Sequence, residues 1–234
     1  MWASSVADLE SESAAYLNSV REWREYWRPA NVRYLLIAES HVREEPGDVE
    51  QRVTSLEQYG LPDHPESFCR LIYCLGYGED EILTTPLGHN KNPGTWQFWD
   101  IFGALAQLDI DHPLAKQPRR RESTFDERIK WKVDTLKRLK DMGIWLIDAC
   151  PIGLATNGTN KENIEIVVDE FRWLFSNLVL PQFSNDSIER SWIIGKGVDK
   201  SDETITLNIK EKISSRKLME LTTELLAEQG IQIK

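Results

Sequence analysis

Three short apolar runs constrain this chain more than any other feature: Val32–Ala38, Ile144–Cys150 and Trp192–Ile194, each running into a polar or glycine cluster. Continuous β-rich runs of this length read as strands buried on both faces, the pattern of a parallel sheet. A fourth run of β-branched residues covers Thr204–Ile209. The segments between and before them have helical spacing. Val6, Leu9, Tyr16, Leu17, Val20, Trp23 and Trp27 share one face of an N-terminal helix placed at 4–28 and ended by Pro29. Trp96–Leu108 reads as helical, and Phe125, Ile129, Val133, Leu136 and Leu139 mark a further helix closed by Gly143. Asn160 opens a helix with Ile164, Val167, Phe171 and Leu174 on its apolar face, and Ser214 or Ser215 caps a last one ending at Gly230. A short helix or strand is expected around Phe68–Leu75.

Strands alternating with such helices predict an α/β fold: a single-domain three-layer α/β/α sandwich over 1–234 with a central four-stranded, mostly parallel sheet. With 234 residues the chain can bury one full core, and 41% apolar against 28% charged residues excludes wholesale disorder. No apolar run reaches membrane-span length, and Met1–Ser5 opens with neither a basic nor an apolar leader region, so the expectation is a cytoplasmic monomer with no membrane partner. Cys69, Cys74 and Cys150 cannot all pair and match no zinc or iron–sulfur spacing, so reduced buried thiols are expected. Without a P-loop or GxGxxG, no nucleotide cofactor is expected, nor a metal.

The net charge of −10 argues by itself against a nucleic-acid partner, but the charge is unevenly placed. Lys116–Lys140 holds ten basic and four acidic residues, a net +6 that leaves −16 on the rest of the chain. Such a segment is either a local phosphate-binding surface or a solvated helix face. Arg119, Arg120 and Arg121 follow Pro118 in a breaker-rich loop and are the best phosphate candidates within it.

In parallel sheets chemistry sits just past the carboxyl ends of the strands. That rule selects Glu39-Ser40-His41, Asp148-Ala149-Cys150-Pro151, Gly195-Lys196-Gly197 and the late loop Ile209–Ser215. Capping of the following turn by Ser40 or Asp148 is the alternative use of those polar groups.

Taken in order, these strand ends resemble the motifs of the uracil-DNA glycosylase superfamily, from about residue 32 to the C-terminus. Tyr34–Ala38 with Glu39-Ser40-His41-Val42 looks like the first motif, where a buried strand delivers Gly, Gln or Glu, a catalytic polar residue and Pro. Gly143, then Ile144–Asp148 and Ala149, is similar to the central strand whose end carries a base-reading Asn and Ala. Ser191–Gly197 looks like the fourth-strand pattern of that family. The chain departs from the pattern in four places: Ala38 replaces Gly, the Pro is absent, Ser40 stands at the water-activating Asp, and the late His-Pro-Ser motif is missing, since all four histidines precede residue 113.

The resemblance implies a monofunctional DNA glycosylase. Cleaving a base from deoxyribose needs a negative group or activated water at the sugar and a donor towards the leaving base. Glu39 is the expected negative group, Ser40 positions water or phosphate, and His41 is a donor or phosphate contact. An ionised Asp148 only accepts, which suits the N4 amino group of cytosine rather than O4 of uracil. Val42 falls where a Tyr blocks C5 in the uracil-specific branch, so the C5 side is expected to be open. Phe68 or Tyr73 either stacks on the flipped base or packs in the core. Lys196, Lys210, Lys212, Ser214 and Ser215 are expected to meet phosphates. The substrate so implied is cytosine modified at C5 in bacteriophage DNA, consistent with an antiphage role. Two other readings stay open: a metal-dependent hydrolase using Glu39, His41 and Asp148, and a non-catalytic nucleic-acid-binding module.

Overall fold

The computed structural model describes residues 12–38, 40–54, 56–88, 90–107, 117–148 and 153, and the backbone of two strands at 190–194 and 209–212. The strands β1 (Tyr34–Ala38), β2 (Ile144–Asp148), β3 (Arg190–Ile194) and β4 (Ile209–Lys212) hydrogen-bond in the order β2-β1-β3-β4, every pair parallel. The described chain is therefore mixed α/β with parallel strand pairing. Leu35 to Ala38 and all of β2 are buried without alternation, which is why both read as continuous apolar runs.

Of the fourth strand expected over Thr204–Ile209, residues 204–208 lie outside the described residues. Pairing covers Ile209–Lys212, and its register against β3 shifts between Ser191 and Ile193. Ile-Lys-Glu-Lys contains one apolar residue and reads as loop. A strand at the end of the sheet needs only its backbone to pair, and charged residues suit such a position. Lys210 and Lys212 thus belong to a strand rather than to a loop beyond one. The helices expected from Asn160 and from Ser214 or Ser215, together with Cys150, lie outside the described residues.

Helix α1 runs Ala14–Tyr26, shorter than the predicted 4–28. The Ser13 side chain caps it by accepting from Tyr16 N, while Ser13 N donates to Glu44 at 2.6 Å. That cap ends any continuous helix before residue 14. Tyr16, Val20, Trp23 and Trp27 form its buried stripe. Helices α2 (Trp96–Ala106) and α3 (Phe125–Asp141) pack on each other, with Trp99 edge-on to Trp131 at 6.1 Å. A reciprocal capping box between Thr124 and Glu127 starts α3. Gly143 follows its C-cap at φ +76°, and its carbonyl accepts from Arg33 N and Tyr34 N, which turns α3 directly into β2 beside the start of β1.

Phe68–Tyr77 is buried but forms neither the helix nor the strand expected there. Turns close its own backbone, as in Cys74 N to Leu71 O and Tyr77 N to Cys74 O. Indoles of α1 supply further partners: Trp23 Nε1 donates to Ser67 O and Trp27 Nε1 to Tyr73 O. Cys69 and Cys74 are free and buried as expected. Among the described residues no helix is long and apolar enough to cross a membrane.

Candidate functional site

Ala38 and Asp148 end β1 and β2 opposite each other, and Ile194 ends β3 on the far side of Ala38. The three motif-bearing strands therefore finish side by side, with β1 in the centre. The chain steps from β1 to β2 on one side and then to β3 on the other. The gap beside β1 is the topological switch point, where ligands bind in parallel sheets.

Four ionisable side chains converge there. His41, just past β1, directs Nδ1 to Asp148 Oδ2 at 3.3 Å and Nε2 to Glu12 Oε2 at 3.1 Å. Arg24, from the C-terminal half of α1, donates Nη2 to the same Asp148 oxygen at 2.5 Å. Glu12 also accepts from the backbone N–H of Glu44 at 2.9 Å and of Gly153 at 2.7 Å. The side chains of His41, Glu12 and Asp148 are 0%, 1% and 2% exposed, so water cannot supply these bonds.

Electrostatics shift the titration of each group. Burial alone would push the His41 imidazole down, but its bonds to Asp148 and Glu12 outweigh burial and hold it above its ordinary 6.5. Burial would raise Asp148; the Arg24 charge and the bond from His41 reverse that and lower it. Glu12 is likewise lowered against burial, chiefly by His41. With His41 protonated, two carboxylates face an imidazolium and a guanidinium, a balanced set of charges. An imidazolium donating through both nitrogens has no lone pair for base catalysis. Held this way, it fixes the position of the Asp148 carboxylate. Among the described residues, the buried donor this network leaves unpartnered is Arg24 Nε.

The other predicted residues are dispersed. Ser40 is half-buried beside the network, and Glu39, Lys196, Ser214 and Ser215 lie outside the described residues. Val42 is 38% exposed, its backbone tied by Tyr16 Oη to Val42 O at 2.8 Å. Phe68 and Tyr73 are core residues, so of their two expected uses, stacking on a base or core packing, they serve the second. The Tyr73 hydroxyl accepts from Leu146 N–H at 2.7 Å on the outer edge of β2, and its ring lies against Phe102. A side chain spent on closing a sheet edge is not available to a ligand.

The basic window divides in two, matching neither of its expected readings throughout. Arg119, Arg120 and Arg121 are exposed on a turn leading to the capped start of α3. Several later cations are used internally. Arg128 forks onto Glu79, Lys132 donates to Glu79 at 2.8 Å, and Lys140 reaches Tyr26 O at 2.6 Å. Long side chains can bury their stems and still place their charge on a carboxylate or carbonyl, which periodicity cannot reveal.

Sequence reasoning missed Glu12 and Arg24. A signal existed for Arg24, which stands four residues after Val20 and so puts a charge on the apolar stripe of α1; Glu12 precedes the Ser13 cap and carries no such periodic signal. Among the described residues no group of three His, Cys, Asp or Glu side chains is arranged to hold a metal ion. No protein-family model, curated protein or solved structure matches this chain.

Proposed function

We propose that this protein is a monofunctional DNA glycosylase similar to the uracil-DNA glycosylase superfamily, built as a three-layer α/β/α sandwich. It hydrolyses the N-glycosidic bond of a flipped-out cytosine-type base modified at C5. The observation that carries this reading is the alignment of the three motif-bearing strand ends, with Ala38 in register between Asp148 and Ile194. Support for a cytosine-type base comes from Asp148, which Arg24 and His41 hold ionised and therefore acceptor-only. The exposed Val42 is compatible with a substituent at C5. Glu39 supplies the negative charge at the sugar, and Arg24 Nε takes over the donor role expected of His41.

The deciding experiment incubates the protein, in EDTA, with DNA carrying cytosine, 5-methyl-, 5-hydroxymethyl- or glucosylated hydroxymethylcytosine and scores abasic sites. Abasic sites only in the C5-modified DNAs are expected. Release of uracil in preference to all of these rejects the base assignment. A second reading, a nucleic-acid-binding module of the same fold, is favoured by how completely His41 is committed to Glu12 and Asp148. It predicts DNA binding with no base release from any substrate.

A further inference from the structure

A pocket of about 430 Å³, lined by none of the ion-network residues, lies between the Gly78–Glu79 turn, the Pro93–Thr95 segment and the N-terminal parts of α2 and α3. That volume falls in the range of small-molecule sites. Its walls include three indoles, Trp96, Trp99 and Trp131. Trp99 and Trp131 are buried, but Trp96 is 49% exposed at the first position of α2. A large aromatic face left open beside a pocket marks a surface suited to a planar partner.

The pocket also gathers cations. Lys132 Nζ lies 5.0 Å above the Trp99 ring while donating to Glu79 Oε1. Arg128 binds the same Glu79 carboxylate and reaches Glu81 at 3.1 Å, and Arg120 lies on the lining. Within the buried trio, one carboxylate serves two cations. Burial pushes the Lys132 ammonium down; Glu79 opposes that, while Arg128 and Arg120 push it further down. An anion beside them would relieve this repulsion. Thr95 precedes α2 without capping it, and its hydroxyl is buried with no partner among the described residues. It lines the pocket too, so an unspent donor joins the cations. Gly78 and Gly94, both at positive φ, let the two segments approach so closely that a Cβ on either would lie 3.0 Å from the other's Cα.

We infer that this pocket binds a nucleotide, with the base against the tryptophans and the phosphate facing Lys132, Arg120 and Thr95. Indole faces accept any base, and fixed cations with a hydroxyl suit a phosphate. The inference does not rest on the glycosylase reading. The ligand chemistry is a phosphorylated nucleoside, either free or as one unit of a single strand.

Calorimetric titration of the intact protein with dAMP tests it, because adenine is no mimic of a cytosine-type substrate. Saturable binding is expected, at least about tenfold tighter than that of deoxyadenosine or inorganic phosphate alone. Trp96→Ala and Arg120→Ala alter exposed side chains and leave the core intact. The first should weaken dAMP about tenfold, the loss of one stacking face, and the second should weaken it several-fold and reduce its salt dependence. A short single-stranded oligonucleotide titrated in parallel separates the sources. Binding of the oligonucleotide alone, weakened by the same two variants, identifies the strand as ligand. Absence of saturable binding by both ligands, or binding indifferent to both substitutions, overturns the proposal whether or not base release is found.

Discussion

Arg24 on α1 and Asp148 at the end of β2 are 124 positions apart and meet at 2.5 Å, an ion pair that ties the N-terminal helix to the sheet. Arg24→Met removes the guanidinium bonded to Asp148, so a buried negative charge loses that partner. A loss of about 3–5 kcal/mol in unfolding free energy is expected. Asp148→Asn in the Arg24→Met background should cost much less than Asp148→Asn alone. Urea unfolding of the four proteins gives the coupling, and additivity within about 0.5 kcal/mol would show that the pair contributes nothing.

The same network sets a pH window. His41 is raised in the fold, so its stabilisation is complete below the ordinary 6.5 and is lost as pH climbs through the raised value. Glu12 and Asp148 are lowered, so their stabilisation is present above 4.5 and 3.8 and is lost as pH falls through their lowered values. Stability should therefore be greatest between about pH 5 and 6.5 and fall on the alkaline side. His41→Gln should flatten the alkaline decline. An unchanged slope in that variant assigns the decline to other groups.

Tyr73→Phe deletes the acceptor for Leu146 N–H on the β2 edge. The cost expected for an orphaned buried donor is about 1–3 kcal/mol. Base release per folded molecule should not change. A specific loss of turnover at full stability would return Tyr73 to the substrate site.

If Glu39 supplies the negative charge in the proposed base release, Glu39→Gln should abolish release and leave DNA affinity nearly intact, because such a charge would act on the transition state rather than on the bound ground state. Filter binding and abasic-site assays on one preparation separate the two effects. Equal loss of both, or undiminished release, removes Glu39 from that role.

Replacing Arg119, Arg120 and Arg121 together with Ala should weaken DNA binding evenly across sequences. The salt dependence should flatten by about one slope unit for each phosphate that is no longer neutralised. Affinity and slope equal to wild type would make this turn an ordinary solvated surface.

What could be read from sequence alone had a local cause. β1 and β2 are legible because strands buried on both faces must be apolar at every position, and the end of α3 because Gly143 can adopt the left-handed turn. The polar residues leaving β1 and β2 stand out as candidates for the same reason. Tertiary structure decided what those residues do. The titration of His41 and Asp148 is shifted by Glu12 and Arg24, one just before α1 and one on it, of which only Arg24 shows locally, as a charge on an apolar stripe. Phe68 and Tyr73 face the core because Phe68–Tyr77 is buried through turns and indole donors, which follow no period. β4 is held by backbone bonds at the end of the sheet, where side-chain pattern has little say. Periodicity reports which face of one element is buried; it carries no information on which distant charge will be placed against it.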